Sequence, residues 1–132
     1  MFQTCRLKCV SKHVDARRVL KSYKCSGMDG TGFLLRELNF YDGKKGAVLG
    51  DHYHVATTEI FIVTKGSLRL LIRTIVSKQK KDRMESFMFN KGDAFVVYPY
   101  EHHTIHCLTD VSLVTALDKP FNNLNPDIVK LK

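Results

Sequence analysis

The chain has 132 residues, 44% hydrophobic and 26% charged, enough for one domain with a single core and too few for two. Its longest unbroken apolar runs are a few residues, which excludes a bilayer-spanning helix, and the start Met1-Phe-Gln-Thr-Cys-Arg6 lacks the apolar core of a secretion signal, so a cytoplasmic protein with no membrane contact is expected. A formal charge of +8 and a pI near 9.4 favour anionic partners, either nucleic acid or phosphorylated and nucleotide-linked small molecules.

Residues 1–30 show no clear period. The polar run Ser11-Lys-His-Val-Asp-Ala-Arg-Arg18 fits a short helix or an extended arm equally well, and the stretch is read only as an N-terminal arm. Cys5, Cys9, Cys25 and Cys107 are expected as free thiols, because a non-secreted chain with a core of its own does not need bridges.

From Thr31 the pattern changes to short apolar runs punctuated by glycine and polar turns, as in an all-β chain. Eight strands are predicted, near Phe33 to Phe40, Ala47 to His54, Thr58 to Thr64, Ser67 to Val76, Met84 to Asn90, Asp93 to Tyr98, His103 to Thr109 and Val111 to Leu117. The turns Tyr41-Asp-Gly-Lys-Lys-Gly46, Thr64-Lys-Gly66 and Asn90-Lys-Gly92 each supply a glycine where a hairpin needs positive φ. In Ser67-Leu-Arg-Leu-Leu-Ile-Arg73, Leu68, Leu70 and Ile72 share one face and should line the interior. The basic run Lys78-Gln-Lys-Lys-Asp-Arg83 lies between two apolar segments and reads as a solvated loop. The barrel is placed at 31–118, and 119–132, with Pro120 and Pro126, is read as an irregular tail packed on its outside.

The stretch from Gly46 to Gly66 carries the chemistry. His52 and His54 are two apart, and Glu59 follows five later. On a strand, side chains at i and i+2 share a face roughly 6.6 Å apart, so two imidazoles and a carboxylate can reach one metal ion. A fourth ligand is sought in Pro99-Tyr-Glu-His-His-Thr-Ile-His106. There His103 shares a face with Ile105 and Cys107, while His102, Thr104 and His106 share the opposite one. The first face is the more apolar, so His103 is the inward candidate, and His106 replaces it if a bulge near Pro99 shifts the register.

With these residues in view, the chain resembles a cupin. That family's first motif is matched by Gly46, His52, His54, Glu59 and Gly66, and the glycine-to-histidine spacing of its second by Gly92 and His103. The second motif departs elsewhere. Tyr98 stands at the family's proline, with Pro99 one place late, Tyr100 at its second glycine and Cys107 at its closing asparagine. The resemblance implies a double-stranded β-helix, or jelly-roll barrel, holding a divalent metal (zinc, iron, manganese or nickel) on His52, His54, Glu59 and His103. It also implies a homodimer.

A narrower similarity is to the C-terminal cupin domain of capsular-polysaccharide enzymes acting on nucleotide-linked keto sugars. It rests on Gly50-Asp-His-Tyr-His54, Thr58 to Gly66 and Pro120-Phe-Asn-Asn-Leu-Asn-Pro-Asp127. It implies an epimerase or isomerase working beside a carbonyl on an anionic sugar, with nucleic acid no longer an expected partner. His102, His106, Tyr98 and Tyr100 are then the acid/base candidates near the barrel mouth. Two alternatives stand beside it: an iron-dependent dioxygenase, which the same ligands suit, and a non-catalytic small-molecule-binding module.

Overall fold

In the computed structural model, the structure describes residues 6–7, 9–23, 33–75, 83–120, 122 and 124–131. Eleven strands follow in chain order: β1 (Cys9–Val14), β2 (Val19–Tyr23), β3 (Glu37–Gly43), β4 (Val48–His54), β5 (Glu59–Lys65), β6 (Ser67–Thr74), β7 (Glu85–Asn90), β8 (Ala94–Val97), β9 (Glu101–Cys107), β10 (Val111–Leu117) and β11 (Ile128–Val129). A four-stranded sheet, β3-β10-β5-β8, faces a five-stranded one, β11-β4-β9-β6-β7, and every pairing is antiparallel. This is the expected all-β jelly roll.

Alternation builds the interior from both sheets. Leu68, Leu70 and Ile72 of β6 are fully buried, as their spacing predicts, and Val111, Leu113 and Leu117 of β10 close from the other side. Phe89 and Phe61 both stack on Phe95, with ring centroids 4.4 and 4.6 Å away. Gly46, Gly66 and Gly92 all have positive φ, as the turns require. Gly66 has no substitute, since a Cβ there would lie 2.0 Å from the Asp110 carbonyl oxygen.

All eight expected strands are present, although β3 begins at Glu37 rather than Phe33 and β9 at Glu101 rather than His103. The arm contains a hairpin, β1–β2, whose exposed residues include Val14 and Val19, while Arg6 bridges to the β8 edge at Phe95. The tail is not wholly irregular, because β11 pairs with β4. The basic run at 78–83 lies outside the described residues except for Arg83, as do Cys5 and Cys25; Cys9 and Cys107 are free thiols. Among the described residues no helix is long and apolar enough to cross a membrane.

Candidate metal centre and cavity

A cavity of about 400 Å³ opens between the sheets on the side of β3, β4 and β11. Leu49, His52 and His54 of β4 all line it, with His103 and Ile105 of β9 and Glu59 and Phe61 of β5. Leu49 and His52 are an odd number of residues apart, which an unbroken strand would send to opposite faces. The step is absorbed by a bulge between Gly50 and His52, where Gly50 has φ 79° and Asp51 φ 62°.

The four ligand candidates converge. Ring nitrogens of His52, His54 and His103 lie within 4.8 Å of one another. The Glu59 carboxylate Oε1 is 3.3 Å from His54 Nε2 and 4.0 Å from His103 Nε2. Backbone carbonyls fix the tautomers. His54 Nδ1 is 3.1 Å from the Asp127 oxygen and His103 Nδ1 is 3.0 Å from the Glu101 oxygen, and because a carbonyl only accepts, both Nδ1 atoms carry the proton. A hydrogen bond with the Gly50 backbone opposes part of the downward shift of His52.

In the neutral rings this tautomer turns the Nε2 lone pairs of His54 and His103 inward. His54 Nε2 is buried without a hydrogen-bond partner, facing a carboxylate oxygen that also only accepts. Two acceptors set against each other suit a cation between them, and a His₃Glu set with the His54 and His103 imidazoles fixed by carbonyls is suited to a divalent transition metal. Burial, reinforced by the neighbouring histidines, pushes His52 down to about 4 and His103 down to about 3. Both rings are thus neutral at physiological pH, the form that binds metal.

The facing wall comes from β3. Glu37, Asn39 and Tyr41 alternate into the cavity, and Asn39 Nδ2 donates to Glu37 Oε2 at 3.0 Å. Burial, then the charges of Glu59 and Glu37, raises the Tyr41 phenol above its ordinary value, so it stays protonated. Leu49, Phe61, Ile105, Leu113, Leu117 and Ile128 supply an apolar lining. Among the described residues, no lysine or arginine lines the cavity.

The acid/base candidates read from the sequence stand elsewhere, and none lines the cavity. His102 and His106 have the opposite parity to His103 on β9 and face out of the sheet. His102 is buried against Asp51, and His106 is half-buried in register with Arg69. Tyr100 occupies the turn before β9 with φ 66°, 45% exposed, its ring 5.8 Å from that of Tyr53. The backbone N–H of Tyr98 donates to Glu101 Oε1. Sequence reasoning missed Glu37, Asn39 and Tyr41, although their polar i, i+2, i+4 spacing beside the apolar Leu38 and Phe40 was visible. The exposed side chains of Leu38 and Phe40 show why: here the polar set is the inner one.

A sequence model of the cupin family matches residues 34–124. Among curated proteins, a germin-like protein, subfamily 1 member 6, of Arabidopsis thaliana is 29% identical over 109 residues, which cover 82% of this chain and 44% of that protein; the chain thus spans less than half its length. Among solved structures, the 3'-monoepimerase ChmJ of Streptomyces bikiniensis, in complex with dTDP-quinovose, superposes with a TM-score of 0.74 at 16% identity, covering 92% of this chain and 66% of that one. The 3,4-ketoisomerase QdtA of Thermoanaerobacterium thermosaccharolyticum, in complex with TDP-4-keto-6-deoxyglucose, gives 0.71 at 12% identity, over 96% and 85%. The capsular polysaccharide assembling protein CapF of Staphylococcus aureus gives 0.66 at 18% identity, over 92% of this chain and 34% of that one. At such identities the structural likeness speaks for the fold.

Proposed function

The chain belongs to the cupin family, and from that premise we propose that it is a metal-dependent epimerase or isomerase moving a proton beside the carbonyl of a phosphorylated or nucleotide-linked sugar. The observation that carries this reading is the facing of two unlike walls across one small cavity: His52, His54, Glu59 and His103 on one side, Glu37, Asn39 and Tyr41 on the other. His52, His54, Glu59 and His103 would hold the metal, which when bound supplies Lewis acidity toward a carbonyl oxygen.

The remaining roles belong to the β3 strip. The Glu37 carboxylate, oriented by Asn39, takes the proton from the carbon next to the carbonyl. Tyr41, kept protonated, returns one from the other end of the strip. The apolar lining gives the sugar ring a surface to pack against between them. The volume fits a single sugar ring rather than a whole nucleotide sugar, and none of the described residues of the lining is basic, which favours phosphates lying outside the cavity. Ligands of ChmJ and QdtA, both nucleotide-linked, support this class of substrate.

The test is hydrogen exchange. Metal-loaded protein incubated with TDP-4-keto-6-deoxyglucose and related keto sugars in D₂O should place deuterium on the carbon beside the carbonyl, read by NMR. Glu37→Gln and Tyr41→Phe should each slow exchange by about 100-fold or more. Absence of enzyme-dependent exchange across nucleotide-linked and phosphorylated keto sugars would overturn the assignment.

A further inference from the structure

His102, which the cavity does not use, has another place in the architecture. The bulge at Gly50 and Asp51 lets one strand be a core strand at Leu49 and a metal strand at His52 and His54. Gly50 suits its left-handed conformation, and a Cβ there would lie 2.9 Å from the His103 carbonyl oxygen, so β4 approaches the ligand strand closely at this point. Asp51 is different. Asp tolerates φ 62° better than most residues with a side chain but less well than glycine, so a contact that holds it there matters.

On the outer face of the sheet, Asp51 Oδ1 lies 3.1 Å from His102 Nε2. The imidazole side chain is 6% exposed and the carboxylate side chain 67% exposed, so the contact is anchored from below by a buried ring. His102 adjoins His103, which is in register with His52 across the two strands. One strand pair therefore carries His52 and His103 on its inner face and Asp51 and His102 on its outer face.

We propose that the Asp51–His102 pair is a positioning device: it pins the bulge from behind the sheet and so sets the register at which His52 enters the metal centre. The inference rests on the metal-site reading above. Neither residue of the pair touches the cavity, and Asp51 acts through the backbone that leads into His52. Without the bulge, continuing the alternation from Leu49 would turn His52 and His54 outward and bring Asp51 and Tyr53 inward.

Asp51→Gly separates positioning from general stability. Glycine accepts φ 62° without strain, so chelator-treated Asp51→Gly protein should be at least as stable to urea as the parent. Its zinc Kd, measured by competition with a chromophoric chelator, should nevertheless rise 10-fold or more, with an altered visible spectrum of the cobalt(II) form. Asp51→Asn keeps an acceptor for His102 and tolerates positive φ, and should recover most of the affinity.

An Asp51→Gly protein with parental zinc affinity and cobalt spectrum would overturn the proposal. So would one that loses stability and affinity together, or an Asp51→Asn protein as weak as Asp51→Gly. A parent chain that binds neither zinc nor cobalt would instead remove the metal reading, and this inference with it.

Discussion

Three histidines stand within five positions on β9, and strand parity decides which of them meets the cavity. His103 lies inside, its Nδ1 proton given to the Glu101 carbonyl and its Nε2 turned to Glu59; His102 and His106 lie outside. Replacing His103 with Ala should reduce zinc bound per chain after dialysis to background. His106→Ala should leave it at the parental level. The reverse result would mean that β9 is displaced by an odd number of residues, with the turn at Tyr98 and Pro99 the place where it slipped. Parity is also why Glu37, Asn39 and Tyr41 are placed as they are. Each strand has two faces, and a single sequence does not say which one its neighbours cover.

At the scale of elements, the C-terminal segment is part of the site wall rather than a wrapping. Ile128 lines the cavity, and the Asp127 carbonyl orients His54. The Asp127 carboxylate accepts from the backbone N–H groups of Val55, Ala56 and Thr57 and from the Thr57 hydroxyl at 2.7–3.1 Å. Burial raises its pKa, and these hydrogen bonds outweigh that and leave it below the ordinary value. The loop between the ligand candidates His54 and Glu59 is thus tied to the start of β11 by one side chain. Asp127→Ala should cost about 2 kcal/mol in urea unfolding and weaken zinc binding by about 10-fold, since it loosens both the loop and the carbonyl that holds His54. Unchanged zinc affinity in a destabilised variant would show that the tie serves the fold alone.

Over the whole molecule, the buried titratable groups set how the metal-free fold responds to pH. His52 and His103 titrate near 4 and 3 in the fold against 6.5 in the unfolded chain, so below about 6.5 the unfolded state takes up protons that the folded state refuses, and stability falls. Glu101 acts in the opposite sense: burial raises it to about 7 from 4.5, so its contribution is fully present below 4.5 and is lost as pH rises through 7. Two histidines against one carboxyl leave the unfolded state ahead by roughly one proton at pH 5. Urea stability of chelator-treated protein should therefore fall between pH 7 and pH 5. Glu101→Gln, which removes the opposing titration, should make that fall steeper, and an identical pH dependence in the variant would contradict the assignment.

The all-β jelly roll, its eight main strands, the positive φ of Gly46, Gly66 and Gly92 and the nearness of His52, His54 and Glu59 were legible in the chain through alternation, turn chemistry or short spacing, and that of His103 through strand parity and the family resemblance. Where reading stopped, the deciding contacts were distant in sequence. The bulge at Asp51 is stated by β9, since only pairing of Gly50 with Thr104 and of His52 with His103 shows that one residue is extra. The proton on His54 is set by Asp127, 73 residues away. The inward choice of Glu37, Asn39 and Tyr41 follows their register with Leu117, Thr115 and Leu113, the face of β10 that is buried under the other sheet, and leaves Phe40 78% exposed on the other side. Local pattern determines which residues can share a face; which face becomes the interior is decided only when a second sheet closes over it.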